Sequence, residues 1–127
     1  MKYKKLLATT LLLSTNTFAQ SIYVDAVGNN LGPNGANQYY EVNVTRDVTY
    51  ELEINDIDAV FNTGDNAKMV NLGVMYVQPP RKMRIESVEV GQKTYVETEG
   101  RLYFFFVDDG LLNSGGAHVS IKEVNAQ

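Results

Sequence analysis

Apolar and polar residues alternate along the middle of the chain. From Tyr40 to Ile54 every even-numbered position except Arg46 is apolar, whereas the odd-numbered positions are polar or charged. A period of two held over this length predicts half-buried β-strand and excludes an amphipathic helix. The segment Thr45-Arg46-Asp47 interrupts the pattern, so we expect the chain there either to turn into a hairpin or to cross to a second sheet.

A second pattern, near the C-terminus, is apolar on both alternating faces. Between Arg101 and Val107, one face carries Leu102, Phe104 and Phe106, and the other carries Tyr103, Phe105 and Val107. Such a strand is expected to be covered on two sides and to form the centre of the core. After residues 108–116, which contain two aspartates and three glycines, alternation resumes at Ala117, Val119 and Ile121 and predicts a returning strand.

The remaining segments also predict strands joined by turns. We expect a strand over 21–27, a loop over 28–37 and an acidic loop from Asn55 to Lys68. Further strands are expected over 69–77, 84–90 and 93–97, the first of which ends at Pro79-Pro80 because proline removes a ladder donor. Turn signals recur about every 8 to 12 residues. The fold class predicted is therefore all-β: a single antiparallel β-sandwich, jelly-roll-like, with seven or eight strands.

The N-terminus has the parts of a secretory signal peptide. Basic residues in Met1–Lys5 precede a short apolar run, Leu6–Leu13, and then Thr17-Phe18-Ala19 with small residues where a signal peptidase cleaves. We expect cleavage after Ala19, a signal peptide over 1–19 and one β-sandwich domain over 20–127. The apolar run is too short for a stable membrane span, so the protein is expected to be secreted or periplasmic.

Charge and composition narrow the function classes. Residues 1–19 contain three of the eleven basic residues and none of the fifteen acidic ones. Without them the chain has eight basic and fifteen acidic residues, and its net charge is −7. This acidity argues against nucleic acid and anionic membranes as partners. There is no cysteine, and the single histidine, His118, falls on the polar face of the last strand. These features disfavour zinc, and no catalytic motif stands out, so we expect no enzyme.

Two acidic loops predict a candidate cation site. Calcium binds oxygen ligands from carboxylates, amides and backbone carbonyls. The ligands expected from the later loop are Asp108 or Asp109, the carbonyl of Leu111 and the amide of Asn113, with Asp56, Asp58 or Asp65 added by the earlier loop if the two meet. The alternative is that Asp, Asn and Gly are present because turns require them. Tyr39, on the polar face of the alternating segment, is expected at the surface, where its ring could stack on a sugar.

A family resemblance bears on these residues. The order Gly100-Arg101-Leu102-Tyr103, an apolar strand, Asp108-Asp109 and then Asn113-Ser114-Gly115 resembles the C-terminal hairpin of the PA-I-like galactose-binding bacterial lectins, and Leu72–Val77 resembles the preceding strand. The resemblance implies a galactose-binding-domain-like jelly roll. It also implies calcium held by Asp109 and Asn113 and sugar held by the calcium. Leu112 stands where the lectins carry a further Asn, the loop is shorter, and the lectins' His-containing sugar loop has no counterpart over 72–94.

The leading hypothesis is therefore a non-enzymatic, lectin-like carbohydrate-binding domain, with calcium as cofactor and Tyr39, Asp109 and Asn113 as ligand-binding residues. The alternative is a protein-binding module such as a lysozyme-inhibitor-like or immunity protein. Small exported jelly rolls that inhibit lysozymes are similar in size, and Ser114-Gly115 matches the start of their Ser-Gly-x-x-Tyr motif, with His118 in place of the tyrosine. Self-association through exposed strand edges, which would make the protein an oligomer, also stays open.

Overall fold

The computed structural model describes residues 19–61, 67–68, 71–107 and 113–124. These residues form ten β-strands and no helix. The strands are β1 (Ala19–Asp25), β2 (Tyr40–Asn43), β3 (Thr49–Ile57), β4 (Val60–Phe61), β5 (Ala67–Lys68), β6 (Asn71–Gln78), β7 (Lys82–Glu89), β8 (Thr94–Glu97), β9 (Arg101–Phe105) and β10 (Gly116–Glu123).

The eight longer strands form two four-stranded antiparallel sheets, ordered β2-β9-β6-β7 and β1-β10-β3-β8, and β4 pairs with β5 in a short ribbon. If these eight strands are numbered one to eight in chain order, the order of strands across one sheet is 1-8-3-6 and across the other 2-7-4-5. This is the strand order of a jelly roll. The predicted antiparallel β-sandwich with seven or eight strands is confirmed.

The alternating segment supplies one strand to each sheet. Tyr50, Leu52 and Ile54 of β3 are buried, as the even-numbered apolar positions predict. Because β2 and β3 lie in different sheets, the chain crosses between sheets at residues 44–48, the second of the two expected outcomes. Asp47 in this crossing has φ 62°, a left-handed conformation that Asp tolerates better than most side chains.

Strand β9 lies between β2 and β6. Its inner face is buried, whereas its outer face is buried at Phe105, half-buried at Tyr103 and exposed at Arg101. Leu102 and Phe104 are fully buried between the sheets. On the outer face Phe105 is only 6% exposed, because Tyr39 packs against it and Gly73 on β6 leaves room for its ring. The expectation for Val107 is wrong: it lies beyond the end of β9, where neither sheet covers it, and is 66% exposed.

The predicted signal peptide falls on residues 1–19, of which 1–18 lie outside the described part of the chain. Ala19 opens β1 and pairs with Lys122 of β10. None of the described residues forms a helix with the length and apolar character needed to span a membrane. The signal peptide and the cleavage after Ala19 stay predictions.

Candidate functional site

The segments that flank the two predicted acidic loops are joined to each other. The Val60 amide donates a hydrogen bond to the Ser114 carbonyl at 2.9 Å, and the Ser114 amide donates to the Val60 carbonyl at 3.3 Å. The Asp58 amide donates to the Gly116 carbonyl at 2.9 Å. The connection that follows β3 and the connection that precedes β10 therefore meet at one end of the sandwich.

The connection between β1 and β2 reaches the same end. Asn29 and Leu31 exchange backbone hydrogen bonds with Phe106, each 2.8 Å long, and the Ala26 amide donates to the Gly115 carbonyl at 2.9 Å. Three connections, represented by residues 26–39, 58–60 and 106–107 with 113–115, are thus joined by main-chain hydrogen bonds. We call this region the loop end.

Two glycines allow this close approach. A Cβ atom on Gly115, which has φ 75°, would collide with the Asp58 carbonyl. A Cβ atom on Gly116 would collide with the Val24 carbonyl and would lie 2.7 Å from the Tyr23 ring. Glycine is the residue that tolerates both positive φ and backbone contact, so the Gly115-Gly116 pair is explained by packing between strands.

A β-bulge in β3 places the earlier aspartates. His118 of β10 is opposite Asp56, whereas the next residue, Val119, is opposite Ile54, so Asn55 is an extra residue in β3. The expectation of a loop from Asn55 to Lys68 is wrong at its start, because β3 continues through Ile57. The bulge shifts the alternation by one residue, which directs Ile57 towards the core and leaves Asp56 and Asp58 exposed.

Asp58 and Asp56 have different partners. One carboxylate oxygen of Asp58, Oδ1, accepts a hydrogen bond from the Gly116 amide at 2.9 Å. Asp56 lies 3.4 Å from Nδ1 of His118, and both side chains are largely exposed, 69% and 49%. Asp58 therefore fixes the start of β10, whereas Asp56 forms a surface pair.

Tyr23, His118 and Asp56 form a row across strands β1, β10 and β3. The ring centroids of Tyr23 and His118 are 4.8 Å apart. Burial raises the pKa of Tyr23, and the negative charges of Asp58, Asp25 and Asp56 raise it further. The sequence placed His118 on the exposed face, which is confirmed, but gave no sign of the Tyr23–His118–Asp56 row. Such a row depends on strand register, which alternation alone leaves open.

Asn113 is the one residue of the predicted later-loop site that falls within the described residues. It is half-buried, its Oδ1 atom is shielded from solvent, and it directly precedes Ser114, which pairs with Val60. The other predicted ligands, Asp108, Asp109 and Leu111, and also Asp65 of the earlier loop, lie outside the described residues.

Tyr39 is exposed at 42%, as expected for a surface tyrosine. Its ring packs edge-on against Tyr103 and Phe105, at centroid distances of 5.5 and 5.6 Å. Phe105 is followed by Phe106, which bonds to Asn29 and Leu31, so Tyr39 lies at the loop end.

The described residues only partly fit a calcium site. Asp58 retains one carboxylate oxygen beyond its bond to Gly116, and Asn113 is near in sequence to the Ser114–Val60 pair. Within the described ranges, no three His, Cys, Asp or Glu residues are grouped so that they could hold a metal ion. A full set of ligands would therefore have to include residues outside the described ranges.

Comparison with known proteins gives no relative. A scan against family models found no matching family, and searches of curated proteins and of solved structures found no match to this chain.

Proposed function

We propose that this protein is a secreted or periplasmic, non-enzymatic carbohydrate-binding domain that contacts its ligand at the loop end. The observation that supports this most directly is the joining of three connections by main-chain hydrogen bonds beside an exposed tyrosine. Loops held on a rigid sandwich can present polar groups without a large ordering cost on binding. The basic, apolar and small-residue segments of 1–19 support export.

Tyr39 supplies the aromatic surface in this proposal. Its contacts with Tyr103 and Phe105 hold the ring in place while part of it stays in water. A fixed, amphipathic ring can cover the apolar side of a sugar at little entropic cost.

Calcium is the second part of the proposal, and it rests on the lectin-like order of Asp109 and Asn113. Asp108 or Asp109, the Leu111 carbonyl and Asn113 would hold the ion, and Asp58 is the described acid best placed to join them. When bound, calcium would offer its remaining coordination positions to sugar hydroxyls.

Sugar binding is tested by substituting the exposed tyrosines. Tyr39→Ala should weaken binding to a galactose-containing glycan, measured by calorimetry, by about tenfold, equivalent to roughly 1.4 kcal/mol, because the apolar contact between ring and sugar is lost. Tyr95→Ala is the matched control, since Tyr95 is 54% exposed on β8 of the other sheet. Equal effects of the two substitutions, or no binding by the parent to any glycan of a broad panel, would refute the proposal.

Calcium binding is tested by thermal unfolding. Calcium at a hundred times its Kd should stabilise the protein by about 2.7 kcal/mol, and EDTA should reverse the shift. Asp109→Ala should abolish the response, whereas Glu89→Ala, which removes an exposed acid from β7, should leave it intact. An unchanged melting temperature on calcium addition would refute calcium binding. The carbohydrate-binding proposal would then depend on the tyrosine substitutions alone.

One observation favours the alternative function, a protein-binding module. The outer surface of sheet β2-β9-β6-β7 carries an apolar face made of Met75, Val77, Met83, Ile85 and Tyr103, in which Met83 and Ile85 are 58% and 65% exposed. Exposed methionine and isoleucine suit a protein partner better than a sugar. Inhibition of a lysozyme that is lost in Ile85→Glu, together with an empty glycan panel, would select this alternative.

A further inference from the structure

A surface pocket of about 320 Å³ lies on the outer side of the β2-β9-β6-β7 sheet, at the opposite end of β9 from the loop end. It is formed where the β8–β9 turn meets the end of β6. Its walls are Val77, Thr98, Glu99, Gly100, Arg101 and Tyr103. Its volume falls at the lower end of the range typical of small-molecule sites.

The turn that forms one wall is rigid. Thr98 is buried. Its hydroxyl donates a hydrogen bond to the Arg101 carbonyl at 2.7 Å and accepts one from the Gly100 amide at 3.3 Å. The Glu99 amide donates to the Val77 carbonyl, and the Gly100 carbonyl accepts from the Val44 amide, each at 2.9 Å. A ligand would therefore enter a pocket that is already formed, which lowers the ordering cost of binding.

Arg101 supplies the polar side of the pocket. Its side chain is 65% exposed, and its guanidinium lies 3.6 Å from the Glu41 carboxylate and near the Tyr103 hydroxyl. These two partners leave some of its five N–H donors for a ligand, and Glu99 adds acceptor oxygens. Val77 and the Tyr103 ring provide an apolar surface beside these groups.

The charges select the class of ligand. One cation, Arg101, stands near two acids, Glu41 and Glu99, so an anion would gain little from the pocket, and the acidic chain repels it further. A neutral molecule with several hydroxyl groups and one apolar side matches the donors, acceptors and apolar wall. We infer that this pocket is a second, calcium-independent binding site for a neutral sugar ring.

This pocket lies at the opposite end of β9 from the loop end, although its Tyr103 wall also contacts Tyr39. It is tested by NMR with ¹⁵N-labelled protein in EDTA. Galactose at millimolar concentration should shift the amide signals of Glu99, Gly100 and Arg101, and Arg101→Met should weaken the apparent affinity roughly tenfold, as expected for the loss of one or two hydrogen bonds to a charged donor. Tyr103→Phe, which removes the hydroxyl near Arg101, should give a smaller loss. Arg46→Met is the control, because Arg46 is an exposed arginine that pairs with the adjacent Asp47.

Three results would overturn the inference: no shifts at residues 99–101, shifts that Arg101→Met leaves unchanged, or tighter binding of galacturonate than of galactose. Failure of the loop-end proposal is distinguishable, because that proposal concerns the signal of Asn113 and the response to calcium and to Asp109→Ala. Shifts at residues 99–101 in EDTA would support the pocket whatever the loop end does.

Discussion

Gly73 determines how the aromatic residues of β9 pack. A Cβ atom at this position would lie 2.7 Å from two ring atoms of Phe105. The glycine therefore lets the Phe105 ring lie against β6, and Tyr39 packs against that ring. A residue without a side chain on one strand thus supports an exposed tyrosine on another.

Gly73→Ala should destabilise the fold by about 1 to 3 kcal/mol, because the added methyl group forces the Phe105 ring away from β6. Urea unfolding followed by tyrosine fluorescence measures the change, since the chain contains no tryptophan. Gly28→Ala is the control: its Cβ would lie 3.5 Å from Asp25, an ordinary contact. If the two variants unfolded at the same urea concentration, the packing of Phe105 on Gly73 would be contradicted.

Tyr76 makes stability depend on alkaline pH. Burial raises the pKa of Tyr76 above its ordinary value of 10.0, and the hydrogen bond that its hydroxyl donates to Glu86 at 2.8 Å raises it further. Above about pH 10 the unfolded chain loses this proton while the folded protein keeps it. The unfolded state then binds fewer protons, so the free energy of unfolding falls as the pH rises.

Tyr76→Phe should remove this dependence. The difference in unfolding free energy between parent and variant should be constant below about pH 10 and should then narrow, by up to about 1.4 kcal/mol per pH unit for one group. Urea titrations at a series of pH values measure it. A difference that stayed constant into the alkaline range would show that Tyr76 ionises alike in the two states.

At the scale of the element, the Asp58 side chain holds the start of β10 beside the end of β3. Asp58→Ala should cost roughly 1 kcal/mol and speed hydrogen exchange at the Gly116 amide, because that amide loses its acceptor. Asp58→Asn keeps an oxygen and should preserve protection. Asp56→Ala, which breaks only the exposed pair with His118, should leave Gly116 unchanged. Unaltered exchange at Gly116 in Asp58→Ala would contradict the bond.

The sequence predicted the elements better than their ends. Alternation identified β3 up to Ile54, because burial of every second residue leaves a direct mark on the sequence. The continuation through the bulge was missed, since Asn55 and Asp56 have the composition of a turn and the shift in alternation depends on β10 opposite. The same holds for Val107, whose apolar character continued the β9 pattern past the point where neighbouring strands end.

At the scale of the whole molecule, the two sheets present unlike outer surfaces. The outer surface of β1-β10-β3-β8 carries acidic residues, whereas the other sheet carries the apolar face. The acids on the first surface include Asp25, Glu51, Glu53, Asp56 and Asp58. An uneven distribution of this kind directs any apolar association to one side of the protein.

The combined substitution of Met83→Ser and Ile85→Thr should therefore lower binding of the dye ANS to the folded protein severalfold while changing the free energy of unfolding by less than about 0.5 kcal/mol. Fluorescence titration measures dye binding. Tyr95→Thr, on β8 of the other sheet, is the control and should leave dye binding unchanged. If the double variant bound ANS as strongly as the parent, the dye would not bind at the apolar face that contains Met83 and Ile85, and the prediction would be wrong.

The candidate site was predictable only in part. Composition marked the loops around Asp58 and Asn113 as polar, but their meeting depends on main-chain pairs between residues more than fifty positions apart, such as Val60 and Ser114. The pocket beside Arg101 was not predicted, because its walls come from β6, β9 and the β8–β9 turn. Neighbours brought together by sheet order leave no periodic signal along the chain.

The position of β10 also has a consequence for biogenesis. This last strand lies between β1 and β3, and in the sheet order β1 has no neighbour other than β10. Synthesis must therefore reach residues 116–123 before β1 can acquire a hydrogen-bonded partner, and closure brings together segments as distant in sequence as Ala19 and Lys122. A nascent chain that lacks residues 116–124 would be missing an inner strand of a sheet rather than an edge strand, so it would stay unfolded until those residues have been synthesised.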